Sequence, residues 1–320
     1  MRHRIGILLL VLCLLAGCGA SDQNGSGTIS QGSSEPRDDN SLCIGITLYG
    51  LENDYMVRFA TAVADYAEEQ GIELELYAGN YDASTQIRQV EQMIEDQLDG
   101  IILIPQSSAD CVSCVDKAVE AGIPIISVNT RVANDRLTSY IGSNDTEAGE
   151  ILLRETAEAL GGKGTVAVLE GPIGQSAQVE RRNGIQQELQ KYEDIQVLSC
   201  KTANWSGLEA QVVVQKWLNT FEELDAIIAE NDSMALGAVD VAEKQGKDDL
   251  VIVGVDGSQE ALEAVQQGKM QMTVFQNAEA QAETALNVIR DTIAGKPVES
   301  AYWIPLEVVT KENVTEYLEK

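Results

Sequence analysis

From residue 42 onward, short runs that are apolar at nearly every position alternate with longer stretches whose apolar residues recur at helical spacing. LCIGITL, residues 42–48, predicts a strand buried on both faces. Val57, Ala60, Val63, Ala64 and Ala67 then share one helical face, and Gly71 ends that helix. The phrase of helix, glycine and strand returns in EEQGIELELY and VEAGIPIISV, and more loosely in EKQGKDDLVIVGVD. Strands of this kind separated by helices of this length predict βαβ units and a parallel sheet, an α/β class. QLDGIILIPQSSAD near residue 100 echoes ELDAIIAENDSMAL near residue 226, which points to duplication. Two Rossmann-like, doubly wound lobes are therefore expected, one from 42–143 plus 277–305 and one from 144–276 plus 306–320. Crossings between them are expected near Ser143, Gln276 and Pro305.

Open α/β sheets bind their ligands beyond the carboxyl ends of the strands, so the residues that follow each strand are the informative ones. These are Tyr49, Asn53 and Tyr55; Gln106 and Ser107; Asn129, Thr130 and Arg131; Ser176 and Arg181; Asn231; and Asp256. EGPIGQ is neither a Walker sequence nor GxGxxG, so no phosphate loop is present. Amides, hydroxyls, arginine, a carboxylate and aromatics suit a neutral ligand with many hydroxyls, whose C–H faces lie on rings.

Ahead of the body, Arg2 and Arg4 precede an apolar run from Ile5 to Ala16, the order of a secretory signal peptide and too short to span a bilayer. Leu15, Ala16, Gly17 and Cys18 resemble the lipobox of bacterial lipoproteins, which implies removal of residues 1–17 and lipidation of Cys18. Several acyl chains on one residue give stable anchoring. Residues 18–41 hold almost nothing apolar and are expected to be a flexible tether reaching about 25 Å.

Charge narrows the partners further. The chain has 51 Asp and Glu against 22 Lys and Arg, and loss of Arg2 and Arg4 with the leader takes its net charge from −29 to −31. Such a body is repelled by phosphate backbones, so nucleic acid is not an expected partner. The one histidine, His3, lies in the leader, which removes every mechanism needing a Ser-His or Cys-His pair or a His-ligated metal from the mature body. Cys111 and Cys114 form a CxxC at a helix start without Trp-Cys-Gly context or a second ligand pair, and are read as packed thiols, reduced or lightly oxidised. No cofactor is called for, and the body is expected to be a monomer.

In order along the chain, IPIISVNT, SYIGSNDTEAG, AENDSMALGA and VIVGVDGS resemble the type I periplasmic sugar-binding proteins of ABC importers, in the ribose and galactose branch. The likeness runs from about Leu42 to Asn313. ENDSMALGA also occurs in the lactose-repressor family, but a leader stands where that family has its DNA-binding headpiece. The resemblance implies two lobes, a three-strand hinge and closure around one sugar. It maps ligand contacts onto Asn53, Tyr55, Met56, Asn129, Thr130, Arg181, Trp205, Asn231, Asp256 and Gln276. Met56 and Val255 stand where the family has aromatics, and Thr130 where it has an arginine, which argues against ribose itself.

Each position has a structural alternative. Ser258 can cap the helix after Asp256, which frees the aspartate for ligand, and Asp232 is the expected cap beside Asn231. Arg181 is preferred over Arg182 for the site, and Trp205, in the polar loop TANWSG, is expected to be a stacking platform. Trp217 and Trp303 are assigned to packing. The expected function is a lipid-anchored receptor, outside the cytoplasmic membrane, that captures a monosaccharide and delivers it to an ABC permease. A sensor docking on a chemoreceptor or membrane histidine kinase is the alternative, and an anchored glycoside-processing enzyme ranks below both.

Overall fold

The computed structural model describes Thr28, Ile29 and residues 41–318. The expected signal peptide and the expected lipidation site at Cys18 lie outside the described residues. Of the expected tether, Thr28–Ile29 forms a short strand, β1, that pairs antiparallel with Leu76 and Tyr77.

The first lobe is built from β2 (Cys43–Leu48), α1 (Asp54–Gln70), β3 (Glu73–Ala78), α2 (Ala83–Glu95), β4 (Gly100–Leu103), α3 (Val112–Ala121), β5 (Ile125–Val128) and β6 (Ser139–Gly142). The second follows with α4 (Asp145–Ala159), β7 (Lys163–Glu170), α5 (Ser176–Leu189), β8 (Asp194–Thr202), α6 (Gly207–Thr220), β9 (Ala226–Ala229), α7 (Asp232–Gln245), β10 (Val251–Asp256), α8 (Gln259–Gln267) and β11 (Met272–Gln276). The chain ends with α9 (Ala278–Ile293), β12 (Ala301–Trp303), β13 (Leu306–Thr310) and α10 (Thr315–Leu318).

Local chemistry explains most boundaries. Asn53, Asp82, Asn144, Ser206, Asn231, Ser258 and Asn277 each accept a backbone N–H of the first turn of the helix they open. Gly71, Gly122, Gly246 and Gly268 close helices in the left-handed conformation, where a Cβ would be strained. β4, β5 and β9 are buried at every position, which is the burial that continuous apolar runs require in parallel sheets.

The first sheet has the order β1-β3-β2-β4-β5-β6-β12 and the second β13-β11-β10-β9-β7-β8. Without the added edge strands β1, β12 and β13, both are the doubly wound order 2-1-3-4-5, and β4 and β9, the echoing segments, hold the same third place. The chain changes sheet between β6 and α4, between β11 and α9, and between β12 and β13. After the second change α9 returns to the first lobe, where Asn287 Nδ2 donates to the Tyr66 hydroxyl of α1 at 3.0 Å.

Helices α4 and α5 meet backbone to backbone. A Cβ on Gly149 would lie 2.0 Å from the Arg181 carbonyl oxygen, and one on Gly184 would lie 2.0 Å from that of Thr146. Only glycine permits this approach, and it sets how far α5 carries Arg181 toward the sheet. Cys43, Cys111 and Cys114 are buried and Cys200 is half-buried, and Cys111, Cys114 and Cys200 are free thiols. Trp217 packs in the core as expected, but Trp303 does not, being 52% exposed on β12. Its ring instead meets Tyr140 edge-on at 5.7 Å, with the Arg131 guanidinium 4.7 Å from both rings.

Candidate functional site

The loops beyond the carboxyl ends of the strands face each other across the two lobes. There nine of the ten residues to which the resemblance assigns ligand contacts line one cavity: Asn53, Tyr55, Asn129 and Thr130 from the first lobe, and Arg181, Trp205, Asn231, Asp256 and Gln276 from the second. Tyr49, Gln175 and Ala177 complete the lining. Tyr49 follows β2 directly; Gln175 precedes α5 and gave no motif signal, only its place after a strand. Met56 and Val255 are fully buried among core side chains and do not reach the cavity.

One chain of hydrogen bonds crosses it. Asn129 Nδ2 donates to Gln276 Oε1 at 3.1 Å, and Gln276 Nε2 donates to Asp256 Oδ1 at 3.3 Å. Gln281 Nε2 approaches both Gln276 Oε1 and Ser143 Oγ at 3.4 Å, so Gln276 is held from the hinge side as well. The lobes are closed on each other. Arg131 N donates to Ser176 Oγ at 2.6 Å, Arg58 Nη2 to the Asp256 carbonyl at 2.9 Å, and Gln175 Nε2 to Gln106 Oε1 at 3.3 Å. Closure leaves a cavity of about 10 Å³, room for about one water, so a ring-sized solute takes its place by displacing these contacts.

Arg181 is buried and gripped from behind. Its Nε donates to Asp145 Oδ1 at 2.8 Å, its Nη1 to the Glu230 carbonyl, and its guanidinium lies 5.6 Å from the Trp205 ring. Burial opposes its charge, but the carboxylates of Asp145 and Asp256 hold it protonated. Arg182 points the other way, to a partly exposed ion pair with Glu170 at 3.3 Å. The Trp205 indole is buried, and its Nε1 donates to Gln175 Oε1 at 2.7 Å, so it is a wall of the cavity tied at its polar edge.

Asp256 combines burial with a second acid nearby. Burial, then the Asp232 carboxylate, push its pKa up to about 7, against the pull of Arg181 and Arg58. Asp232 is raised to about 6, chiefly by burial. The expected division of labour at Asn231 and Asp232 is corrected here. Asn231 is the N-cap of α7, accepting from Met234 N at 3.0 Å, while Asp232 accepts from Ser258 N at 2.8 Å and Thr273 Oγ1 at 2.7 Å. Capping uses only the Asn231 oxygen and leaves Nδ2 buried without a partner in the cavity wall. Asn53 likewise caps α1 through Met56 N at 3.2 Å while lining the cavity. Thr130 donates its hydroxyl to the Pro105 carbonyl at 3.1 Å, and Ser258 is the cap expected of it. The Tyr55 hydroxyl is the other buried group of this wall with no partner.

Backbone strain concentrates here too. Asn129, Trp205 and Asp256 have φ of 61°, 61° and 128°, a region that side chains rarely occupy. Buried donors and acceptors, two of them unpaired, together with aromatic walls, form a surface whose chemistry suits hydroxyl-rich rings, since ligand hydrogen bonds can replace internal ones.

The Periplasmic binding protein domain family matches residues 44–297 of this chain. A xylitol-binding protein of Mycolicibacterium smegmatis is 34% identical over 272 residues, 85% of this chain and 78% of the relative. The ribose import binding protein of Bacillus subtilis is 27% identical over 313 residues, 98% of this chain and all of the relative. An ABC transporter solute-binding protein of Bacillus halodurans, solved with bound myo-inositol, superposes with a TM-score of 0.84 at 33% identity, covering 88% of this chain and 99% of the other. Two lobes of matching strand order, a cleft at their carboxyl ends and these relatives together make the chain a member of the type I periplasmic sugar-binding proteins.

Proposed function

We propose that this protein is the receptor of an ABC importer, binding one uncharged polyol between its lobes and handing it to a permease in the cytoplasmic membrane. The observation that carries the reading is the convergence of Asn129, Gln276 and Asp256 in one chain of bonds beside the unpartnered Tyr55 hydroxyl and Asn231 amide. A polyol supplies hydroxyls that both donate and accept, and so can replace the internal bonds and satisfy the two idle groups. Relatives that bind xylitol, or were solved with myo-inositol, support an alditol or cyclitol as readily as an aldose. Bound solute favours the closed form to the extent that it touches both lobes at once. Lipid on Cys18 would keep the receptor at the membrane where its permease sits.

The test is a thermal-shift screen of the body against alditols, inositols, pentoses and hexoses. A ligand specific to the folded state raises the melting temperature. One polyol giving a rise of several degrees, lost in Asp256→Ala and Arg181→Ala, is the expected result; no shift with any of them overturns the reading.

A further inference from the structure

Outside the cleft lies a larger groove of about 860 Å³, shared between the lobes. Glu52, Tyr81 and Gln106 reach it from the first lobe, and Trp205, Leu208 and Leu236 are among those that reach it from the second. Trp205 also lines the cleft, so a single indole is the wall between the two spaces. Gln175 completes that partition, accepting from Trp205 Nε1 at 2.7 Å and donating to Gln106 Oε1 at 3.3 Å. On the other side, Tyr49 of the cleft and Tyr81 of the groove have ring centroids 5.6 Å apart, so aromatic surface is continuous from one space to the other.

The two aromatics of the groove come from equivalent turns. Asn80-Tyr81 follows β3 and precedes Asp82, the cap of α2; Asn204-Trp205 follows β8 and precedes Ser206, the cap of α6. β3 and β8 hold the same place in their sheets, and all four turn residues have left-handed φ, 51° and 57° in one lobe, 53° and 61° in the other. For bulky rings that conformation is costly, and both lobes spend it on setting an aromatic at the same opening. The remaining lining brings three carboxylates, Glu52, Glu209 and Asp240, and neither Lys nor Arg. Such a rim repels phosphorylated or carboxylated groups and accepts hydrogen bonds from hydroxyls.

We infer that this groove is a second subsite, holding an uncharged glycosyl unit joined to the polyol in the cleft, with Gln175 as the side chain that moves aside to let the linkage pass. The inference rests on the polyol reading of the cleft. Its consequence is that the cargo includes glycosides or disaccharides as well as free polyols.

Calorimetric titration of the full chain with paired probes tests it: myo-inositol with galactinol, D-glucose with maltose and cellobiose, D-xylose with xylobiose. The expected result is that at least one glycoside binds within tenfold of its parent or tighter. Leu208→Trp and Asp240→Arg, at exposed groove positions that do not line the cleft, should weaken that glycoside about tenfold and leave the parent within twofold. Parents that bind while no glycoside does would overturn the second subsite and leave the polyol reading standing, as would variants that affect parent and glycoside alike. Silence from every probe would overturn the polyol reading and this inference with it.

Discussion

Asn129, at the end of a strand in the first lobe, donates its side-chain amide to Gln276, at the last residue of a strand in the second, over 3.1 Å and 147 positions of sequence. Because Gln276 stands where the chain passes between lobes and also holds Asp256, one side chain couples the hinge to both walls of the cleft.

Asn129 sits at φ 61°, so its substitutions separate strain from bonding. Ala and Gly both remove the amide, but Ala meets the left-handed penalty of about 1–2 kcal/mol that Gly escapes. Asn129→Ala should therefore be less stable than Asn129→Gly by about 1 kcal/mol in urea titration, while both lose ligand affinity to a similar degree.

Asp256 makes stability depend on pH. Its folded value of about 7 lies above that of an unfolded aspartate, so the folded protein takes up a proton between about pH 4 and 7 that the unfolded chain does not. Stability from this group is thus greatest on the acidic side of that window and is lost as pH rises through about 7. Asp256→Asn should flatten the profile of melting temperature against pH over this range, raise the melting temperature at pH 8, and weaken polyol binding at least tenfold.

Gly149 never touches the cleft, yet it governs Arg181. A methyl there meets the Arg181 carbonyl oxygen at 2.0 Å, and a helix shift that relieves the clash carries the guanidinium off Asp145. Gly149→Ala should cost about 1–3 kcal/mol by overpacking. It should also weaken ligand binding, read by calorimetry, although no cleft residue has changed.

Arg131 is a contact between lobes. Its guanidinium lies over both the Tyr140 and Trp303 rings, its backbone N–H reaches Ser176, and its Nε lies 3.9 Å from the Glu180 carboxylate of the opposite lobe. The side chain is 39% exposed, so the ion pair is screened and the cation–π contact carries about 0.5–2 kcal/mol. Arg131→Ala should populate a more open form, seen as a larger radius of gyration in small-angle scattering without ligand, and should weaken binding several-fold.

The positions that sequence reading missed share one property. Gln175 lies in no motif, and its two side-chain partners are 69 and 30 residues away, so nothing local marks it. Trp303 reads as packing because large rings bury themselves, yet its neighbours Tyr140, on β6, and Arg131, in the loop after β5, are distant in sequence, and the edge position of β12 leaves it half in water. Asn231 and Asp232 are a subtler case. Either can cap a helix, and the choice fell to Asn231 because Thr273 and Ser258 lie where they can engage the Asp232 carboxylate.

By itself the sequence determined the α/β class, the two doubly wound lobes and seven of the nine cavity side chains, because these follow from periodicity, caps and topology, which act over a few residues or by fixed rules of handedness, while Trp205 and Gln276 were placed by the family resemblance. Tertiary structure alone decided how those side chains share bonds, that burial beside Asp232 raises the pKa of Asp256 to about 7, and that a groove opens beyond Trp205. Those outcomes depend on distances between lobes and on the dielectric of a closed cleft, and neither exists until residues hundreds of positions apart are brought together.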